Sequence, residues 1–408
     1  MLKVRPKSII ILVALFTLCT CIDPYSPKLG AYQSLLVIDG LITDANTSYT
    51  VKLSKTFKEQ NSIPLTVTDA TVYITDNAGN SNYFINKGKG IYKTDSIQFE
   101  GVIGRTYILH VSTNEGNEYE SKPCPMQSVP DIDNVYFAKD QELTNNGTQS
   151  QEGIRIFLDS KTGEGSQNYR WTFEETWKFK VPTPKKFDYI NDSTIVPVDV
   201  IKEYCWKSRI SNEILVYSNY SGEAGPVKKE PIYFIGTDQS DRLLIKYSIL
   251  VKQYSISKEE FDFWNNMKQI DASGEDIFAK QPFSVSSNLY NINNSSEQVL
   301  GYFQVSAVKE KREEISFSDI GNLNLPVYHY PCARIEMAPK DYPWPPYSAP
   351  LTWDDLYEMY TTSGYAFCEP IYNPGTFVLQ KMVFSLPLCA NCELTGSLKK
   401  PDFWVDLK

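Results

Sequence analysis

The chain has 408 residues, with 40 lysines and arginines against 49 aspartates and glutamates and a net charge of −9. An acidic chain without a basic stripe is a poor ligand for nucleic acid and does not reach an anionic membrane by charge alone. It holds only two histidines, so imidazole chemistry is confined to His110 and His329.

The first twenty residues divide into three parts. Lys3, Arg5 and Lys7 precede Ile9 to Leu18, a run that is apolar except for Thr17. A basic start, a short apolar core and a small residue before the cut predict a secretory signal over 1–20. A core of ten residues is too short to span a bilayer comfortably. Leu18 at −3 and Thr20 at −1 before Cys21 match the lipobox of bacterial lipoproteins. Cys21 is therefore expected to be lipidated, its acyl chains holding the protein to a membrane at about 0.8 kcal/mol per buried methylene. Residues 21–32 read as a tether. Without the three basic residues of the signal, 37 basic residues face 49 acidic ones, and the net charge becomes −12.

The body is expected to be mainly β. Over 33–122, short alternating runs (Ser34–Ile38, Tyr49–Leu53, Thr71–Thr75, Tyr107–Val111) are separated by turn signals such as Asp76-Asn77-Ala78-Gly79-Asn80. This spacing predicts a β-sandwich domain, immunoglobulin-like or transthyretin-like. The Pro-rich stretch 123–133 marks the boundary, and 123–408 reads as a larger β-rich domain with one or two short helices. In its strand Tyr169 to Lys180, Trp171, Phe173, Trp177 and Phe179 share one face by period two, and Glu175 falls among them. A carboxylate on an inward face needs a partner. An ion pair with an arginine is the expected one, with a catalytic acid as the alternative.

A helix is predicted near 257–269, opened by Ser257 and Glu260 as a capping box and striped by Phe261, Trp264 and Met267. A shorter helix starts at Thr352, with Asp355 closing its box. Between the two lies Asp341 to Trp353, dense in proline and aromatics and unfit for an interior strand or helix. It is either a loop covering the core or an exposed platform for a glycan or peptide, and then Tyr342, Trp344, Tyr347 and Trp353 are its candidate binding residues.

Six cysteines follow Cys21: Cys124, Cys205, Cys332, Cys368, Cys389 and Cys392. An even count in an exported chain points to disulfides, with the pairing left open. Cys389 and Cys392 have the spacing of a zinc knuckle or redox pair. With no second close pair and two histidines in all, they are expected to be disulfide-bonded instead, and no metal or cofactor is expected. No phosphate loop, H-E-x-x-H or G-x-S-x-G occurs. His110 sits mid-strand, opposite in phase to Leu109 and Val111, with no nucleophile motif beside it. Asp76, Asn77 and Asn80 lack a full calcium pattern and read as turn formers. No catalytic residue is assigned, although paired carboxylates of a glycosidase leave no local signature.

Several segments in order resemble one Bacteroidetes lipoprotein family, known as domain of unknown function 4249. They are LLVIDGLITD (35–44), YRWTFEETW (169–177), YCW (204–206), YSILVKQYSISKEEFDFWNNMK (247–268), DIFAKQP (276–282), VLGYFQVSAV (299–308) and CANCELTGSLKKPDFW (389–404). In the last, Asn391 and Glu393 depart from the family's Asp and Arg. The resemblance implies an outer-membrane lipoprotein encoded beside TonB-dependent receptor-like barrels, and hence an accessory or binding subunit of a transport complex. It carries over no catalytic residue. An acidic cluster behind the lipidated cysteine accompanies surface export in that phylum, and Asp23 is the one acid close behind Cys21. The alternatives are a surface protein that binds or cleaves glycans, and a structural or adhesion module.

Overall fold

The computed structural model describes residues 34–56, 65–95, 99–143, 149–163, 165–191, 194–219, 225–237, 241–273, 286–321, 323–325, 331–341 and 351–406. The predicted signal, Cys21, the tether, Tyr342, Trp344, Tyr347 and His329 lie outside them. The fold is mainly β, and no helix among the described residues is long and apolar enough to cross a membrane.

The amino-terminal strands fall where alternation places them: Leu36–Thr43, Thr50–Lys55, Ala70–Asp76 and Thr106–Thr113. They belong to one eleven-stranded sheet, in which nine strands follow a continuous path of pairing and two pair off it, and the two end strands of the path approach each other as in a barrel. Their inward residues, including Ile38, Val51, Ile74, Tyr92 and Leu109, fill its core. The two end strands come from far along the chain. Leu289–Asn291 pairs with Glu118–Ser121, and Leu300–Ser306 runs parallel to Leu36–Thr43, from Val37 opposite Leu300 to Thr43 opposite Ser306. Leu289, Val299, Phe303 and Val305 complete the same core. The boundary at residue 122 therefore does not enclose this unit. Parallel pairing across a long crossover leaves no turn signal to read, which is why alternation alone placed these strands in the second domain. Gly301 makes the parallel approach feasible: at φ +91°, a Cβ there would lie 2.0 Å from the Ile38 carbonyl oxygen.

The second unit packs a three-stranded sheet against a five-stranded one. Ile132–Leu143, Ser150–Ser160 and Val227–Gly236 form the first. Asn168–Lys180 and Lys246–Ile256 are central in the second. Trp171, Phe173, Trp177 and Phe179 face Ile154, Ile156 and Leu158 in one buried core, as the period-two reading requires. A third, smaller layer joins the sheet of Ile335–Met337, Ala366–Tyr372 and Leu379–Ser385 to the hairpin Phe187–Asn191/Thr194–Pro197. Helix Trp353–Thr362 covers it, and Tyr189, Leu356, Phe367, Met382 and Phe384 are its core.

Two disulfides tie the later layers together. Cys205 is joined to Cys392, with Cα atoms 5.6 Å apart, and Cys332 to Cys389, with Cα atoms 5.8 Å apart. Cys389 and Cys392 are both disulfide-bonded, but each to a distant cysteine rather than to the other. Cys124 and Cys368 carry free thiols.

Candidate functional site

A cleft of about 1110 Å³ opens where the first unit meets the second. One wall is the first half of helix Lys258–Ser273, which starts on Ser257: the Glu260 N–H donates to Ser257 Oγ at 3.0 Å. The Glu260 carboxylate, placed by sequence as the other half of that cap, instead accepts the Trp264 indole N–H at 3.1 Å. Glu260 is only 3% exposed, and burial pushes its carboxyl up to about 8, opposed by the Trp264 bond and the nearby positive Arg170. The Arg170 guanidinium lies 4.0 Å over the Trp264 ring and donates to Gln304 Oε1 at 2.8 Å. Arg170 belongs to the second unit and Gln304 to the first, so this stack also clasps the two.

The far wall comes from the first unit. Asn288 holds the Phe303 backbone from both sides, donating to its carbonyl at 2.8 Å and accepting its N–H at 3.0 Å. The Asn288 amide also donates to Cys124 Sγ at 3.3 Å. Burial, with Glu260 nearby, pushes the Cys124 thiol up to about 12, so it stays protonated. Tyr302 packs against Phe263 with ring centroids 4.8 Å apart, and burial raises its phenol further above the ordinary range. Gln127, Gln167 and Asn266 also line the cleft, and among the described residues their side-chain amides make no hydrogen bond. Carboxamides that both donate and accept, beside an apolar wall, are what a specific ligand pocket uses.

The other polar clusters are already satisfied internally. Glu175 is fully buried, as its phase in the strand predicts. It accepts Arg209 Nε at 2.7 Å, Arg242 Nε at 2.9 Å and the Tyr247 hydroxyl at 3.0 Å. The ion pair is thus the correct reading, with two arginines in place of one. Burial and the Glu175 charge hold the Tyr247 phenol well above its ordinary range. Beside it, Asp241 takes Lys207 Nζ at 2.6 Å and the Trp177 indole N–H at 2.8 Å.

On the first unit, His110 touches Thr75 Oγ1 through Nε2 at 2.9 Å and Glu120 Oε1 through Nδ1 at 3.0 Å. Hydroxyl, imidazole and carboxylate in that order are the members of a nucleophilic relay. Sequence reading missed the grouping because the residues stand on different strands. Register explains it: Tyr73 lies opposite His110, His110 opposite Glu120, and Glu120 opposite Tyr290, whose hydroxyl it accepts at 3.0 Å. Stacking of Tyr73 on His110, with centroids 4.6 Å apart, continues the row. This is a ladder across an open sheet face, the ordinary currency of sheet stability, and it does not line the cleft.

Of the aromatic candidates, Trp353 is the one within the described residues. It is the first residue of its helix and packs half-buried on the third layer's core. Asp76 is a turn former as expected: its carboxylate accepts the Ala78 and Asn80 N–H groups at 3.0 and 2.9 Å, and Arg105 at 2.8 Å.

Residues 22–312 match the profile of a family described as "Domain of unknown function (DUF4249)". The match takes in the strands that form the cleft and the hairpin of the third layer, and stops before that layer's sheet and helix, so the segment 389–404 lies beyond it. No curated protein matches the chain.

Proposed function

Since the chain belongs to the DUF4249 family, we propose that it is a lipid-anchored outer-membrane protein serving as a binding or accessory subunit beside a TonB-dependent receptor-like barrel. The cleft carries this reading. Its lining presents uncommitted amides around a single buried carboxyl that burial keeps protonated near neutral pH. Such a recess suits capture, whereas glycoside hydrolysis asks for two carboxyls flanking one bond. The cleft's other acids, Glu259 and Asp262, are exposed on the helix, with Asp262 paired to Lys258. The other buried carboxylates, Glu175 and Asp241, are held by two arginines and a lysine. The lipobox at Cys21 supplies the membrane address, and a captured ligand held at a membrane is useful when a channel stands beside it.

Two measurements test the proposal. Replacing Cys21 with serine should move the protein from the membrane fraction to the soluble one. A tagged copy extracted in mild detergent should bring down a β-barrel well above background. Recovery of the intact lipidated protein alone would refute the accessory role.

A further inference from the structure

The chemistry of the cleft narrows the ligand class, on the premise that the protein is a binding subunit. An anion would call for converging cations, but Lys258 is already paired with Asp262, and Lys122 stands alone at the other side. A cation would call for unpaired carboxylates, and the deepest acid, Glu260, is held by Trp264 beneath the guanidinium of Arg170. With Glu260 protonated, Lys122 and Lys258 balance Glu259 and Asp262 and the lining is neutral.

What remains uncommitted is Gln127 and Gln167 on one side and Asn266 on the helix, each offering both a donor and an acceptor. Hydroxyl groups, which donate and accept at once, are the natural complement of such a set. The Phe263–Tyr302 pair, tilted together and 7% and 8% exposed, adds a narrow apolar strip to the wall that the C–H edge of a sugar ring can touch. A peptide in extended form would look for an open strand edge. Among the strands that line the cleft, Asn168–Lys180 and Lys246–Ile256 are paired on both sides, while Leu300–Ser306 and Cys124–Pro125 have a strand partner on one side only. The other edge of Leu300–Ser306 is taken at Gly301 by the Ser287 hydroxyl and at Phe303 by the Asn288 amide. The volume, about 1110 Å³, is slightly above the range of ligand sites, roughly 300–1,000 Å³, and so admits more than one ring.

We infer that this cleft binds an uncharged oligosaccharide, its hydroxyls read by Gln127, Gln167 and Asn266. The test uses the full-length protein in detergent on an array of neutral gluco-, xylo-, manno- and galacto-oligosaccharides, with acidic glycans and a peptide library alongside, followed by calorimetry on the best ligand. At least one neutral class should be retained, with affinity unchanged from low to high salt because no charge is neutralised. The double variant Gln167→Ala/Asn266→Ala should weaken binding about tenfold or more while leaving the melting temperature unchanged, since neither amide has a partner to lose among the described residues. Gln127→Ala alone should weaken it independently. Silence across all neutral glycans, retention of acidic glycans or peptides instead, or full affinity in both variants would overturn the assignment. A protein that brings down a barrel but retains no glycan would lose this ligand class and keep the accessory role; glycan binding without a barrel would do the reverse.

Discussion

Two buried glutamates show how far a single position can be read. Glu175 was legible: alternation put it inside, and an inward carboxylate demanded a cation. Its partners were not legible, because Arg209 and Arg242 reach it from a neighbouring strand and a loop. Glu175→Ala would leave two arginines and a phenol facing an uncharged void, and should cost about 3–5 kcal/mol in denaturant unfolding. Glu260 was read as the second half of the Ser257 cap, and its burial was missed, because a glutamate at that place in a helix is ordinarily a solvated cap. The signal was Trp264 one turn later, whose apolar bulk turns the same helix face inward. Burial raises the Glu260 carboxyl from 4.5 to about 8 in the folded protein. The folded state therefore binds more protons than the unfolded one between those values, and stability must fall as pH rises through that window. Glu260→Gln should flatten this slope and make the variant the more stable form above pH 8. Melting curves taken across the window check it, and a wild-type slope retained in the variant would rule Glu260 out as its source.

Among elements, strands and helix starts were well marked. Thr352 and Asp355 form both halves of the predicted cap, and the longer helix runs to Ser273, a little past its predicted end. The disulfides were marked in number and not in pairing, since the C-x-x-C spacing suggests a local bond that the fold does not make. Pro387–Ala390 and Cys392–Leu394 instead turn the two cysteines toward different layers. Unreduced peptide mapping should find Cys205 with Cys392 and Cys332 with Cys389; a Cys389–Cys392 peptide would contradict the fold. The Cys205–Cys392 link closes a separation of 187 residues. Removing it as Cys205→Ala/Cys392→Ala should cost about 2–5 kcal/mol by the chain-entropy account, read as a lower denaturation midpoint.

For the molecule as a whole, class was legible and domain division was not. Alternation reports which face of a strand is buried and carries no record of which distant strand will lie beside it. The first unit borrows Leu289, Val299, Phe303 and Val305 for its core. A fragment of residues 34–126 should accordingly lack cooperative unfolding, while the full body melts in a sharp transition; a well-dispersed NMR spectrum from the fragment would disprove the borrowed core. The cleft shares this origin, since its walls come from five separate stretches of chain. The borrowed strand also has a mechanical meaning. A load applied on the amino-terminal side of Leu36, where a membrane tether would pull, runs along the axis of Leu36–Thr43. The parallel ladder from Val37–Leu300 to Thr43–Ser306 then resists in shear, its bonds sharing the force instead of opening one after another. A protein moored by its first strand would hold that strand by the arrangement least easily unzipped.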